Sequence, residues 1–126
     1  MINDTVADFL ARMQNGIMRK KKEIIVLKTK MIIDILEILK KEEMILGYEV
    51  MDDHVVVKPK YFEKEPAVEK FKKVSKPGQR IYINALEIVP IMNGRGISII
   101  STSQGLMTGS LAKSKGIGGE HICNIW

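Results

Sequence analysis

Apolar residues recur early in the chain with the spacing of one helix face: Val6, Phe9, Leu10, Met13 and Ile17. Thr5 followed by Asp8 has the form of a capping box that would open this helix, and Asn15-Gly16 has the form of its end. Arg12 and Arg19 fall off the stripe and are left for solvent or a ligand. Residues 23–28 are β-branched and bounded by charge, the pattern of a strand. Thr29 then stands as cap of a second helix, expected over residues 30–46 and ended by Gly47. Its polar positions Asp34, Glu37, Lys40 and Lys41 gather on one side and leave a broad apolar face. Residues 48–51 and 55–60 read as a hairpin around Asp52-Asp53-His54, while residues 68–74 suit a strand or a helix equally. Ser75-Lys76-Pro77-Gly78 is a strong turn signal, because proline presets one dihedral and glycine supplies the left-handed one.

Beyond that turn glycine, serine and threonine become frequent and acids nearly vanish. A strand is expected over residues 79–83, a proline-interrupted helical turn over 85–92 and a tight loop at Asn93-Gly94-Arg95-Gly96. A buried strand should follow over 97–102, a partner strand over 106–108 after a turn at Gln104-Gly105, a helical turn over 110–115 and a final strand over 120–126. The fold class is thus α+β in two small lobes: an N-terminal α/β lobe over residues 1–74, with two helices on a short sheet, and a C-terminal, mostly antiparallel β lobe with a short helix over residues 75–126.

Composition narrows the class. In 126 residues, 45% hydrophobic and 28% charged residues give an ordinary globular balance. No apolar run approaches the roughly 20 residues of a membrane-spanning helix, and the N-terminus lacks the build of a signal peptide. A single cysteine, Cys123, leaves no internal disulfide, and with only His54 and His121 beside it no structural zinc site is expected. A small soluble intracellular protein with no cofactor and no membrane partner is the expectation.

Net charge is +5. Arg19, Lys20, Lys21, Lys22, Lys28 and Lys30 form one basic run, and Lys70, Lys72, Lys73, Lys76 and Arg80 a second. Either run suits a solvated face as well as a polyanion. Catalytic signals are poor. No serine sits in a nucleophile elbow, His121 has no obvious acidic orienter nearby in sequence, and no triad order is recognisable around either histidine. The loop at Gly94 to Gly96 leaves a phosphate-handling enzyme as the alternative, although it lacks both the Gly-Lys-Ser/Thr ending of a P-loop and the third glycine of the dinucleotide fingerprint. The segment from Ser101 to Thr108 differs. Ser101, Thr102, Ser103, Gln104 and Thr108 surround Gly105 immediately after an apolar strand. Hydroxyls both donate and accept, and short side chains let a nucleic acid approach the backbone. The same hydroxyls could instead satisfy their own turn amides.

Ser101-Thr102-Ser103-Gln104-Gly105-Leu106-Met107-Thr108, followed by Gly118-Gly119-Glu120-His121-Ile122-Cys123, resembles the signature region of the bacterial-type small-subunit ribosomal protein eight family. The segments from Asn3 to Arg12 with Asn15-Gly16, Leu39 to Glu43, Val74 to Tyr82 and Asn93 to Ile97 are similar to further family blocks, in family order across nearly the whole chain. The resemblance implies a non-catalytic component of the small ribosomal subunit that binds a central-domain helix of the ribosomal RNA and supports assembly. It also implies contact with neighbouring small-subunit proteins, in a bacterial cytoplasm or an organelle with bacterial-type ribosomes. Some members bind their own messenger RNA. By position, it implies that Ser101, Thr102, Ser103 and Gly105 insert at an irregular part of the RNA, with Gln104, Tyr82 and Glu120 nearby. Asp4 and Thr5 at the first helix, and Lys28, Thr29 and Lys30 at the second, would touch the sugar-phosphate backbone. Gln104 stands where the family often has Lys or Arg, and Asn124 where it usually has Tyr.

Overall fold

The computed structural model describes residues 2–126, with side chains from residue 5 onward. The chain divides into two units, Ile2–Glu69 and Lys70–Trp126. The division falls ahead of residue 75 because Phe71–Lys73, which suited a strand or a helix in sequence, is a strand paired with the last strand of the chain.

The first unit runs α1 (Ile2–Met18), β1 (Ile24–Leu27), α2 (Lys30–Lys41), β2 (Ile45–Val50) and β3 (His54–Pro59), then a small ribbon of β4 (Tyr61–Phe62) with β5 (Glu65–Pro66). The larger sheet is antiparallel in the order β1-β3-β2. Ile24 lies opposite Val57, and Val26 opposite Val55. These four are buried together with Phe9, Leu10 and Met13 of α1 and Ile32, Ile35, Leu36 and Leu39 of α2. The apolar stripes read from the sequence are therefore the ones removed from water, each large aliphatic side chain contributing roughly 1.5–3 kcal/mol.

Helix ends differ from the sequence expectation. α1 begins at Ile2, so Thr5 lies inside the helix. Asp8 does not reach back to cap; it pairs with Arg12 one turn on, at 2.8 Å. Arg12 in turn donates to the Ile25 carbonyl at 3.4 Å and so is not left for a ligand. α1 also passes through Gly16, where the Ile24 side chain packs so closely that no Cβ would fit. It closes at Lys20, whose φ is +55°. Lys20 N–H donates to Ile17 and Lys21 N–H to Gly16. α2 closes in the same way, five residues before the expected end. Glu43 takes φ +59°, its N–H donates to Lys40, and Met44 N–H donates to Leu39. This is the left-handed closure that sequence rules assign to glycine. Gly47 instead lies within β2, at a register irregularity between Ile45 and Gly47. Thr29 caps α2 as read, its hydroxyl accepting from Ile32 N–H at 3.2 Å.

The second unit contains β6 (Phe71–Lys73), β7 (Tyr82–Ile83), β8 (Ile97–Thr102), β9 (Gly105–Thr108), α3 (Gly109–Lys115) and β10 (Gly119–Ile125), with 3₁₀ turns at Ala85–Glu87 and Met92–Gly94. β10 pairs with β8 along one edge, and β6 and β7 share the other. β9 extends the sheet beyond β8 as a hairpin. Ile88, Ile100, Met107 and Ala112 form a core between α3 and one face of this sheet. The strand expected over 79–83 shrinks to two residues because Lys76 and Gln79 pair with each other across the turn. The observed class is α+β, and among the described residues no helix is long and apolar enough to cross a membrane.

Two outcomes follow for stability. Leu36 is fully buried, so Leu36→Ala should lose about 2–5 kcal/mol in denaturant unfolding. A loss within about 0.5 kcal/mol would remove it from the core. Tyr48 donates its hydroxyl to the Glu37 carboxylate at 2.7 Å, and this hydrogen bond is the main reason its pKa rises from 10.0 to about 12. The folded state holds the phenol proton more tightly, so the contribution is complete below pH 10 and fades as pH rises through about 12. Tyr48→Phe should cost about 1 kcal/mol near neutrality, and its deficit against wild type should shrink across that alkaline window. A deficit constant across it would contradict the contact.

Candidate nucleic-acid interface

The register of the second sheet determines which side chains stand together. Tyr82 of β7 lies opposite Glu120 of β10, Glu120 opposite Ser101 of β8, and Ser101 opposite Leu106 of β9. Directly opposed residues share a face, so these four form one row across four strands. The neighbouring register, Ile100 with Met107, faces α3 and is buried. The row lies near the end of the sheet at which the β8–β9 turn emerges. Tyr82 leaves 68% of its surface exposed, a large ring in water.

Each polar member of the row has a distinct character. The Ser101 and Ser103 hydroxyls have no hydrogen-bond partner among the described residues. Glu120 is 13% exposed; its Oε1 is 3.7 Å from Arg80, and its Oε2 is shielded from solvent without a hydrogen bond. A carboxylate oxygen in that state is costly unless a ligand brings N–H or O–H donors to it. Thr102 behaves differently. Its Oγ1 donates to the Gly105 carbonyl at 2.8 Å and accepts from Gln104 N–H at 3.0 Å, so this hydroxyl shapes the turn. Gly105 takes φ +106°. The exposed Gln104 accepts a long contact from Lys115, at 3.4 Å.

Close backbone contacts hold the row. A Cβ on Gly119 would collide with the Ser101 carbonyl oxygen. Ser75, read in sequence only as a turn residue, is buried. Its hydroxyl accepts from Ile81 N–H at 3.0 Å and donates to the His121 carbonyl at 2.8 Å, so it ties the approach to β7 onto β10. Asn84 and Glu87 close a capping box directly after β7, each accepting the other's N–H at 3.1 Å. The Asn-x-x-Glu spacing was available in sequence, whereas nothing local marked Ser75.

The other sequence candidates belong to the first unit. The side chain of Asp4 lies outside the described residues, and Thr5 lies within α1. Thr29 and Lys30 stand at the start of α2, with Lys30 paired to Asp34 at 3.1 Å. Lys28 donates to the carbonyls of Met51 and Asp52 at 2.9 and 3.2 Å, which fastens the β2–β3 turn.

The loop at Gly94 to Gly96 offers no phosphate cradle. Gly94 and Gly96 N–H both donate to the Ile91 carbonyl, and Arg95 N–H to Met92. His121 Nε2 meets Asn124 at 2.7 Å and His54 Nδ1 meets Asp53 at 2.6 Å, neither beside a nucleophile. Burial pushes the Cys123 thiol up to about 12, which leaves it unreactive. Among the described residues no cluster of His, Cys, Asp and Glu could hold a metal ion. Charge completes the picture. From residue 70 onward eight basic residues stand against two acidic ones, whereas the preceding 69 residues carry twelve basic and thirteen acidic. The positive excess belongs to the unit with the hydroxyl turn.

A family model described as Ribosomal protein S8 matches residues 4–126. The chain is 38% identical over 126 residues to the small ribosomal subunit protein uS8 of Oleidesulfovibrio alaskensis, with all of both chains covered. It is 43% identical over 129 residues to the uS8 protein of Dictyoglomus thermophilum, covering 99% of this chain and 98% of that one. It is also 39% identical over 133 residues to the small ribosomal subunit protein uS8c of Cyanidium caldarium, again over the whole of both.

Gly119→Ala should separate β10 from β8 beside Ser101. Forcing a methyl into that contact should cost about 1–3 kcal/mol in unfolding experiments. A neutral substitution would show that the row does not depend on this approach.

Proposed function

The chain belongs to the ribosomal protein S8 family, and on that premise we propose that the end of its C-terminal sheet is the surface that reads RNA. The protein is a structural, non-enzymatic component of the small ribosomal subunit, where it binds ribosomal RNA and lies among other small-subunit proteins. It works in bacterial-type ribosomes, which its relatives place in bacteria and plastids. The finer assignment of residues is ours.

The observation that carries it is the row Tyr82–Glu120–Ser101 beside the free Ser103 hydroxyl, in the unit that holds the positive excess. Regular RNA helices bury their base edges in a deep, narrow groove, so sequence is read where a bulge or base triple splays bases outward. Ser101 and Ser103 offer paired donors and acceptors to such a feature, and Gly105 leaves room for close approach. Glu120 accepts from base or 2′-hydroxyl donors, and the Tyr82 ring stacks on a base. Thr102 holds the turn in shape and Gln104 assists from the flank. Lysines of the same unit supply salt-sensitive affinity without sequence preference. In the first unit, Asp4, Thr5, Lys28, Thr29 and Lys30 touch the sugar-phosphate backbone, the start of α2 by presenting amides without helical partners. The target is a central-domain helix of the small-subunit RNA, bound during assembly. Any RNA with the same irregular shape would be taken, the chain's own messenger included.

Ser103→Ala tests this reading. It removes a donor–acceptor group and no charge. Affinity for small-subunit ribosomal RNA should fall about five- to 150-fold, with unchanged salt dependence and an unchanged unfolding midpoint. Wild-type affinity in a filter-binding assay, or loss of folding, would make the turn structural only.

A further inference from the structure

In the first unit, Lys22, Glu23, Leu46, Lys58, Pro59 and Tyr61, none of them assigned a role above, line an open cavity of about 590 Å³. Three of these walls are apolar. Leu46 leaves 67% of its surface in water, Pro59 is buried, and the Tyr61 hydroxyl already donates to the Lys21 carbonyl at 2.6 Å. What Tyr61 offers the cavity is therefore its ring, and the same bond fixes the basic loop of Lys21 and Lys22 beside it. The ammonium groups of Lys22 and Lys58 and the carboxylate of Glu23 have no hydrogen-bond or ion-pair partner among the described residues.

We propose that this cavity takes one unpaired nucleotide of the RNA, with its base against Tyr61, Leu46 and Pro59, its phosphate on Lys22 and Lys58, and an exocyclic amine of the base on Glu23. A flat apolar surface with one aromatic ring suits any base, and two free cations suit a phosphate. The carboxylate accepts only, so it favours guanine, adenine or cytosine, whose exocyclic amines donate, over uracil, which has none. Lys22 ends the consecutive run Arg19-Lys20-Lys21-Lys22, and this local charge favours a nucleic acid over a protein segment. The proposal rests on the chain's binding RNA but not on the hydroxyl turn.

The test titrates the isotope-labelled full chain with the four 5′-mononucleotides to about 10 mM, since single nucleotides bind weakly, and follows the amide resonances of Lys22, Glu23 and Tyr61. GMP, AMP and CMP should shift them together, with UMP weaker. Lys58→Gln should weaken all four about two- to fivefold, and Glu23→Gln should narrow the gap between UMP and the rest. Silence of these resonances, or shifts indifferent to both substitutions, would overturn the proposal. So would a response to a short acidic, aromatic-containing peptide without one to nucleotides, which would assign the cavity to a protein partner. The two readings fail separately. Ser103→Ala should leave these shifts intact, so a silent cavity with a Ser103-dependent RNA affinity sinks only this proposal, and a responsive cavity with a Ser103-independent affinity sinks only the turn.

Discussion

The C-terminal unit depends on how closely β10 approaches β8 at Gly119. No side chain fits between this residue and the Ser101 carbonyl, so the two strands meet backbone to backbone. β10 then pairs with three strands: β8 on one edge, β6 and β7 on the other. That pairing sets Tyr82, Glu120 and Ser101 in one register. Sheet-borne side chains hold their geometry better than loop-borne ones, and preorganised hydroxyls lose little freedom on binding. Ser75 strengthens the arrangement from the side by bonding to Ile81 and His121. The row of the proposed recognition surface is a consequence of strand pairing, and the turn only completes it.

Chemistry within the turn is divided. Thr102 uses both hydrogen-bonding capacities of its hydroxyl on Gly105 and Gln104, while Ser101 and Ser103 keep theirs. Neighbouring residues of one chemical type thus differ: one makes the shape and two leave their hydroxyls unpaired among the described residues. Glu120 adds an acceptor where the surrounding unit is strongly basic. An acid there opposes indiscriminate phosphate binding and rewards a partner that supplies donors, so in the proposed site it would serve selectivity more than affinity. On the proposed reading, the lysines supply attraction, and the neutral groups with Glu120 decide what stays bound.

Much of this was legible in the sequence, and the failures have a common cause. The apolar stripes of α1 and α2, the Thr29 cap, the turn at Pro77-Gly78 and the strand Ile97–Thr102 follow from period and turn chemistry. α3 ends where Gly116 takes φ +70°, as glycine rules predict. α1 and α2 end by the same hydrogen-bond pattern but on Lys20 and Glu43, residues that seldom adopt positive φ. No local signal announces such an ending, so Gly16 and Gly47 took the role in sequence while packing and strand register use them otherwise. The proposed site was legible in part. Ser101 to Gly105 stand out by composition, and the resemblance supplied Tyr82 and Glu120. Their alignment into one row depends on pairing between residues far apart in sequence, and the role of Ser75 does as well.

The most direct test of the central claim is amide chemical-shift mapping of the isotope-labelled chain with a fragment of small-subunit ribosomal RNA containing the central-domain helix. The largest changes should fall on residues 101–105 and on Tyr82 and Glu120, the row and its adjoining turn. Changes confined to residues 2–69, with the end of the C-terminal sheet unaffected at saturation, would contradict the account.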